Sequence, residues 1–374
     1  VSTSELERLT QDQRSAVEVV SRRAAAVRPA ARETVRAILR RHGIAESEYD
    51  SADEALRSQA RVALHFHPER LSRTGKSVAD GLLESGVYKN QFETGLSSGS
   101  PTAFAGGERD LWEQRLFAGA YHTADSPLSR RPKYGALELM DHADGPSPRF
   151  GSCYFVLRSH VALRSTFTFG GSQEIDAIER TTTLDMLEPS LAPLLARLER
   201  GQGALGVDHL TIPDLLAVLR GKRSDVNAPQ RKHLGRALDS FVEAQVHGEI
   251  RLNEDVELLV CDPAFLGHPI GEVLAEVCAQ NCIALSWHPG FTLPVHHVPE
   301  IFRDFPVRPL AERIVAGSAD RILDAAKLGA AANSLALHPE AWAEWASLDH
   351  VLTQFRRLWH VMVLGENAHA YPAP

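Results

Sequence analysis

Phe241-Val242-Glu243-Ala244-Gln245-Val246-His247-Gly248 places a carboxylate and an amide two residues apart in a segment that reads as a strand leaving a helix. Side chains two apart on a strand share one face, so Glu243 and Gln245 are expected to act on the same surface. Working outward, Val62, Leu64 and Phe66 alternate with Ala63, His65 and His67, which predicts a strand over Arg61 to His67 with both histidines on one face. Cys153 to Arg158 and Ala162 to Phe169 predict a strand pair with Ser159 and His160 at the bend between them, and Val256 to Cys261 predicts a further strand. Strands joined by hairpins and bends, with helices gathered around them, predict an α+β fold rather than a doubly wound parallel sheet. No Gly-x-Gly-x-x-Gly or Walker loop sits between a strand and a helix, which argues against Rossmann and P-loop folds.

Around these strands the apolar spacing predicts mostly helix. Thr3 to about Gly43 reads as two helices separated at Pro29, and Asp53 to Ala60 as a third. Ser77 to Ser85 is a short helix ended by Gly86, and Val87 to Gln91 is a strand candidate. Leu96 to Gly107 is a loop, Glu108 to Ala118 a helix, and Tyr134 to Met140 strand or helix. Leu184 to Arg200, Ile212 to Arg220 and Gln230 to Ser240 read as helices. Beyond Pro263 a strand is expected at Cys282 to Trp287, with helices near Ile270 to Ala279, Ala319 to Leu328 and Leu348 to Val361.

The 374 residues are 44% hydrophobic and 24% charged, an ordinary globular composition, and the length suits one large domain with additions or two domains. A formal net charge of -8 gives no general attraction to nucleic acid or to an anionic membrane. The four cysteines, Cys153, Cys261, Cys278 and Cys282, neither build a disulfide framework nor fit a zinc-ribbon spacing, and are expected as reduced, mostly buried thiols. No apolar run approaches the roughly 18 residues of a membrane span. The first residues lack a signal-peptide pattern, so a cytoplasmic location is expected, with export by a route that reads no such signal left open.

Together the quoted strands resemble the catalytic core of the ADP-ribosyltransferase superfamily, within an uncharacterised bacterial family. The motifs that carry the resemblance are Glu243 with Gly248 five residues on, the hydroxyl-rich Arg164-Ser165-Thr166-Phe167-Thr168, and the strand bearing His65 and His67. The resemblance covers roughly Arg61 to Pro263. It implies a split β-sheet core over 61–265 with a helical insertion near 184–240, an N-terminal helical region over 1–60 and a mainly helical C-terminal region over 266–374.

The same resemblance implies NAD as substrate, no metal, and an effector- or toxin-like enzyme that transfers ADP-ribose or hydrolyses NAD. Protein, nucleic acid and small molecule all remain open as acceptor. Glu243 is then the catalytic carboxylate, with Gln245 beside it. His67 is the preferred holder of the adenosine ribose, ahead of His65, and Arg61 is the candidate for an arginine-type variant. Gln91, Thr94 and Gly95 are expected at the pyrophosphate or ribose. Ser152, Arg164, Ser165, Thr166 and Phe167 are expected to line the NAD pocket, with Tyr154 and Phe167 as candidates to stack on nicotinamide. The superfamily's usual acceptor-selecting position, two before the glutamate, is Phe241 here.

The chemistry is consistent with these residue types. Cleaving the nicotinamide–ribose bond builds positive charge on the sugar, as glycoside hydrolysis does, while nicotinamide departs neutral and needs no general acid. The site must supply a carboxylate near the ribose, a hydrogen-bonding group and an apolar or aromatic wall. Two alternatives stand beside this reading. His65-Phe66-His67 at a strand end is also how a metal-dependent hydrolase directs two imidazoles at one ion, and a non-enzymatic binding protein would use the same surface without chemistry.

Overall fold

The computed structural model describes residues 3–96, 102–221 and 233–371. Eight strands form one sheet: β1 (Val62–Phe66), β2 (Lys133–Leu137), β3 (Cys153–Leu157), β4 (Ser165–Phe169), β5 (Thr181–Thr183), β6 (Val242–Val246), β7 (Val256–Cys261) and β8 (Ala284–Trp287). Their order is β5-β4-β6-β2-β1-β3-β7-β8. Among the described residues each pairing in it is antiparallel except β7 with β8. The fold is therefore α+β.

One seam of this sheet is short. Val62 pairs with Leu137 and Ala63 with Ala136, and there the ladder between β1 and β2 stops. Continued in register it would set His65 opposite Tyr134. Instead, from Leu64 onward β1 pairs only with β3, while Tyr134 and Gly135 pair only with β6. At the seam the strands approach closely, since a Cβ at Gly135 would lie 2.3 Å from the Ala63 carbonyl oxygen. Beyond it the ladder is open, with no pair joining His65 to Tyr134.

Alternation assigns the two faces. Val62, Leu64, Phe66, Phe155, Phe167, Val242, Ala244, Val246 and Leu259 are all buried in the main hydrophobic core. The other face carries a smaller apolar cluster of Ala63, Tyr154, Val156, Leu258 and Val260, and beside it a row of polar side chains on β4 and β6. The C-terminal region is part of the same body, because Phe291, Leu310, Leu328, Phe355 and Trp359 belong to the main core and β8 extends the sheet.

Several local expectations are corrected. The N-terminal helix Gln11–Arg41 runs through Pro29 without a break. Pro29 and Ala25, whose carbonyl loses its helical partner, are both exposed, so that group is open to solvent. At the same level Arg28 forks onto Glu188 with bonds of 3.0, 3.0 and 2.9 Å, pinning the helix to the sheet side. The strands β3 and β4 do not pair with each other: a short helix, Ser159–Ala162, separates them, and β4 lies between β6 and β5. Val87 makes only an isolated bridge to Arg251, and Asn90 caps a short helix from Gln91.

The helix expected over Gln230 to Ser240 is absent from its described part, residues 233–240; residues 230–232, like 97–101 of the expected loop, lie outside the described residues. The cause is local competition for backbone donors. Asp144 accepts from the Gly235 and Arg236 amides at 2.6 and 2.8 Å, and Arg236 is left-handed, φ 54°. Near residue 320, a short strand, Ile322–Asp324, precedes the helix, which Asp324 caps from Ala325 onward by accepting from the Lys327 amide.

Candidate active site

The polar row on β4 and β6 forms a directed chain of hydrogen bonds. Thr166 lies opposite Gln245, and Thr168 opposite Glu243, so all four share one face. Thr166 donates to Gln245 Oε1 at 2.7 Å, which leaves the Gln245 amide nitrogen to donate to Glu243 Oε1 at 2.9 Å and to Thr168 Oγ1 at 3.2 Å. At the other end the Tyr121 hydroxyl meets His247 Nδ1 at 2.5 Å, and His247 Nε2 meets Thr166 Oγ1 at 3.2 Å. With the Thr166 proton given to Gln245, Nε2 carries the histidine proton and Nδ1 accepts from Tyr121. Burial keeps His247 neutral, its pKa pushed down to about 3. Donors thus point from Tyr121 through His247, Thr166 and Gln245 to Glu243.

Glu243 is 7% exposed. Burial raises its pKa, and Ser172, Gln245 and the charge of Arg109 oppose that by stabilising the carboxylate. Ser172 reaches it with hydroxyl and backbone amide from the turn that follows β4. The Arg109 guanidinium lies between two rings, 4.4 Å from Tyr134 and 4.7 Å from Trp112. Tyr134, opposite Gln245 on β2, donates to Glu113 Oε1 at 2.8 Å, and Arg131 donates to Glu113 Oε2 at 2.9 Å. Glu113 is fully buried, which pushes its carboxyl up to about 7 against the pull of Arg109 and Arg131.

Across the opening stands His65. Its ring is stacked on Tyr154 at 4.8 Å, Nδ1 donates to the Gly151 carbonyl at 3.3 Å, and Nε2 accepts from the Ser147 amide at 3.3 Å. Burial, the largest influence, holds its pKa down at about 3. Two hydroxyls of the same loop and strand, on Ser147 and Ser152, are buried without a hydrogen-bond partner. A carboxylate, an amide and an aromatic ring thus border one side of the opening, and an imidazole, a second ring and two unused hydroxyls the other.

Several expected site residues lie elsewhere. Phe167 pairs with Ala244 on the opposite face and is fully buried in the main core, so it cannot stack on a ring held near Glu243. Ser165 shares that face and donates to the Val161 carbonyl at 2.9 Å. Arg164 precedes β4 at the end away from Glu243, where it donates to the His247 and Glu249 carbonyls at 2.6 and 2.9 Å and pairs with Asp255 at 3.1 Å. Gly248 is left-handed there, φ 85°, and a Cβ on it would lie 2.6 Å from Arg164 Nη1, so the glycine serves this buried arginine.

His67 lies past the end of β1, edge-on to Trp359 at 4.8 Å and 3.6 Å from Glu69, and does not join His65 at the opening. Arg61 pairs with Glu257 at 2.9 Å. Gln91 starts the short helix Gln91–Thr94, Thr94 donates back to the Asn90 carbonyl at 3.1 Å, and Gly95 ends that helix in the left-handed region. That helix is anchored through Asn90 to the 128–131 segment at 2.9, 3.2 and 3.3 Å. Phe241 is buried with its ring edge-on to Phe150 at 5.6 Å.

Tyr134, Arg109, Trp112, Glu113 and Ser172 were not signalled by the sequence. The one available hint was the alternation of Tyr134 within a strand candidate; the others come from helix and turn segments that only the tertiary fold brings to Glu243. Among the described residues no group of three or more His, Cys, Asp or Glu side chains could hold a metal ion. Both ring nitrogens of His65 are occupied by backbone groups, so the pattern His65-Phe66-His67 does not direct two imidazoles at one point. All four cysteines are unpaired, and no helix among the described residues is long and apolar enough to cross a membrane.

The fold and site define an α+β protein with a buried carboxylate–amide pair beside an opening in its sheet. Residues 61–364 match a family described as a protein of unknown function, DUF3626, and the chain belongs to that family. No curated protein matches it.

Proposed function

We propose that this protein cleaves the nicotinamide–ribose bond of NAD and passes ADP-ribose to an acceptor or to water. The bond between ribose C1′ and the pyridinium nitrogen breaks, its electron pair neutralises the departing nicotinamide, and the acceptor oxygen or nitrogen bonds to C1′ as it loses a proton. Positive charge on the ribose is greatest between these events, and Glu243 is the group that offsets it. The observation that carries the reading is Glu243 held in a single orientation by Gln245 and Ser172, with Gln245 opposite Tyr134 at the open end of the β1–β2 ladder.

The opening itself supports a split-sheet core of the ADP-ribosyltransferase kind. Tyr134 offers the ring against which a planar nicotinamide can lie, in place of Phe167. The unpartnered Ser147 and Ser152 hydroxyls beside His65 offer the polar groups for a ribose in place of His67.

The test is nicotinamide release from NAD by the full chain, by Glu243→Ala and by the wild type with a chelator. Release is expected to fall at least about 100-fold in the variant, the loss typical of a transition-state charge stabiliser, with circular dichroism unchanged and no effect of chelation. Equal release by the variant would overturn the proposal.

A further inference from the structure

The loop that holds His65 also brings a basic cluster to the C-terminal helix. Asp239, which precedes β6, accepts from Arg149 Nη1 at 2.6 Å, from both terminal nitrogens of Arg303, and from the Tyr371 hydroxyl at 3.0 Å. Arg356 and Arg357 are successive on the helix Leu348–Leu364, which packs against the 148–150 turn and the 301–306 hairpin, and His360, kept neutral by burial, follows one turn on. Two guanidinium groups therefore bond one carboxylate, and two more lie on the helix packed beside them, Arg357 over the Phe305 ring at 5.8 Å. Among the described residues no acidic side chain lies within ion-pair distance of Arg356 or Arg357.

Part of the hydrogen-bonding capacity of this cluster is unused. The Nε atoms of Arg149, Arg303, Arg356 and Arg357 and Nδ1 of His360 are all buried without a hydrogen-bond partner. Burying like charges and unpaired donors together is costly, and a structure holds them only when something else compensates. The scaffold around them is firm. Trp359 Nε1 donates to the Pro148 carbonyl at 2.9 Å, and the Phe302 and Tyr371 rings flank Arg303 at 5.4 and 5.3 Å. Arg303 sits in the two-residue turn Arg303-Asp304 of a hairpin, with φ of 50° and 66°, where glycine or asparagine is the usual choice. An arginine kept at a strained turn position and directed into the cluster is there for its guanidinium.

We propose that Arg149, Arg303, Arg356, Arg357 and His360 form a binding site for a diphosphate group, carried either by a nucleotide or by free pyrophosphate. Several acceptor oxygens on one compact polyanion meet the unused donors, and its charge balances the excess of arginine over Asp239. The site shares the 147–151 loop with His65, yet it stands independently of NAD cleavage.

The test is isothermal titration calorimetry of the full chain with inorganic pyrophosphate and with ADP, in the absence of NAD, against sodium sulfate at matched ionic strength. Thermal unfolding is followed in parallel. Pyrophosphate is expected to bind and to raise the unfolding midpoint by about 3 °C at saturation. In the double variant Arg356→Gln/Arg357→Gln the dissociation constant should rise at least about tenfold. Without ligand that variant should unfold at the same or a higher temperature, because like charges have been removed; a merely structural role predicts a lower one. ADP binding as tightly as pyrophosphate assigns the group to a nucleotide, and pyrophosphate binding alone assigns it to the free anion. No binding beyond sulfate, or wild-type affinity in the double variant, would overturn the proposal.

Discussion

The side-chain amide of Gln245 donates to Glu243 Oε1 at 2.9 Å, and it can do so only because Thr166 donates to the amide's oxygen at 2.7 Å. Turned around, the amide would set oxygen against carboxylate and NH₂ against a hydroxyl already committed elsewhere. The chain from Tyr121 through His247 fixes that choice before any ligand arrives. Gln245→Leu keeps an apolar side chain of similar reach and removes the donor. A hydrogen bond to a charged group is worth about 1.5–3 kcal/mol, so nicotinamide release should fall about 10- to 100-fold. Single-turnover kinetics check this, and a rate equal to wild type would count against the orienting role.

Acidification should switch the reaction off at higher pH than an ordinary carboxylate would. Burial favours the protonated form of Glu243 and raises its pKa above the usual 4.5, while the chemistry needs the ionised form. Activity is therefore present above the raised pKa and lost as pH falls through it. Arg109 pulls the other way, so Arg109→Leu should move the acid limb of kcat/KM still higher. A limb that stays in place in that variant would show that the guanidinium does not act on Glu243.

Stability should also decline on mild acidification, for a separate reason. His65 and His247 are held neutral in the folded protein, each with a pKa of about 3 against 6.5 for an ordinary histidine. Between those values the unfolded chain binds the protons that the folded one refuses. The stabilising difference is therefore complete above pH 6.5 and is lost as pH falls toward 3, at about 1.4 kcal/mol per pH unit for each histidine. Urea unfolding at pH 7.0 and 5.5 measures this slope. His247→Gln should reduce it by one group, and an unchanged slope would mean that His247 does not contribute.

The two faces of β4 predict opposite phenotypes for adjacent residues. Phe167 is fully buried in the main core, and Phe167→Ala should cost about 3–5 kcal/mol of stability. Thr168 lies opposite Glu243 and hydrogen-bonds Gln245, so Thr168→Val should slow nicotinamide release while costing much less stability. Denaturant unfolding paired with the release assay separates them. Reversed phenotypes would mean that β4 presents its other face to the site.

Much of the framework was legible because its signals are local. Alternation marked β1, β6 and β7, and the two-residue spacing of Glu243 and Gln245 placed both on one face. Ser77 and Gly86 bounded their helix as expected, Ser77 accepting from the Asp80 amide and Gly86 left-handed at φ 62°. Where local signals misled, a distant group had intervened. Asp144 took the backbone donors that a helix near Gly235 needed, and Arg28 on Glu188 held a helix through Pro29.

By itself the sequence determined the α+β class, most of the strands and the carboxylate–amide pair, since side-chain periodicity and spacing follow directly from chain geometry. Only the tertiary structure decided which histidine faces the opening, which side of β4 meets Glu243, and that Tyr134, Arg109 and Ser172 join it. Those outcomes depend on where the β1–β2 ladder stops and on which helices cover the polar face. They rest on contacts between residues far apart in the chain, which no local pattern encodes.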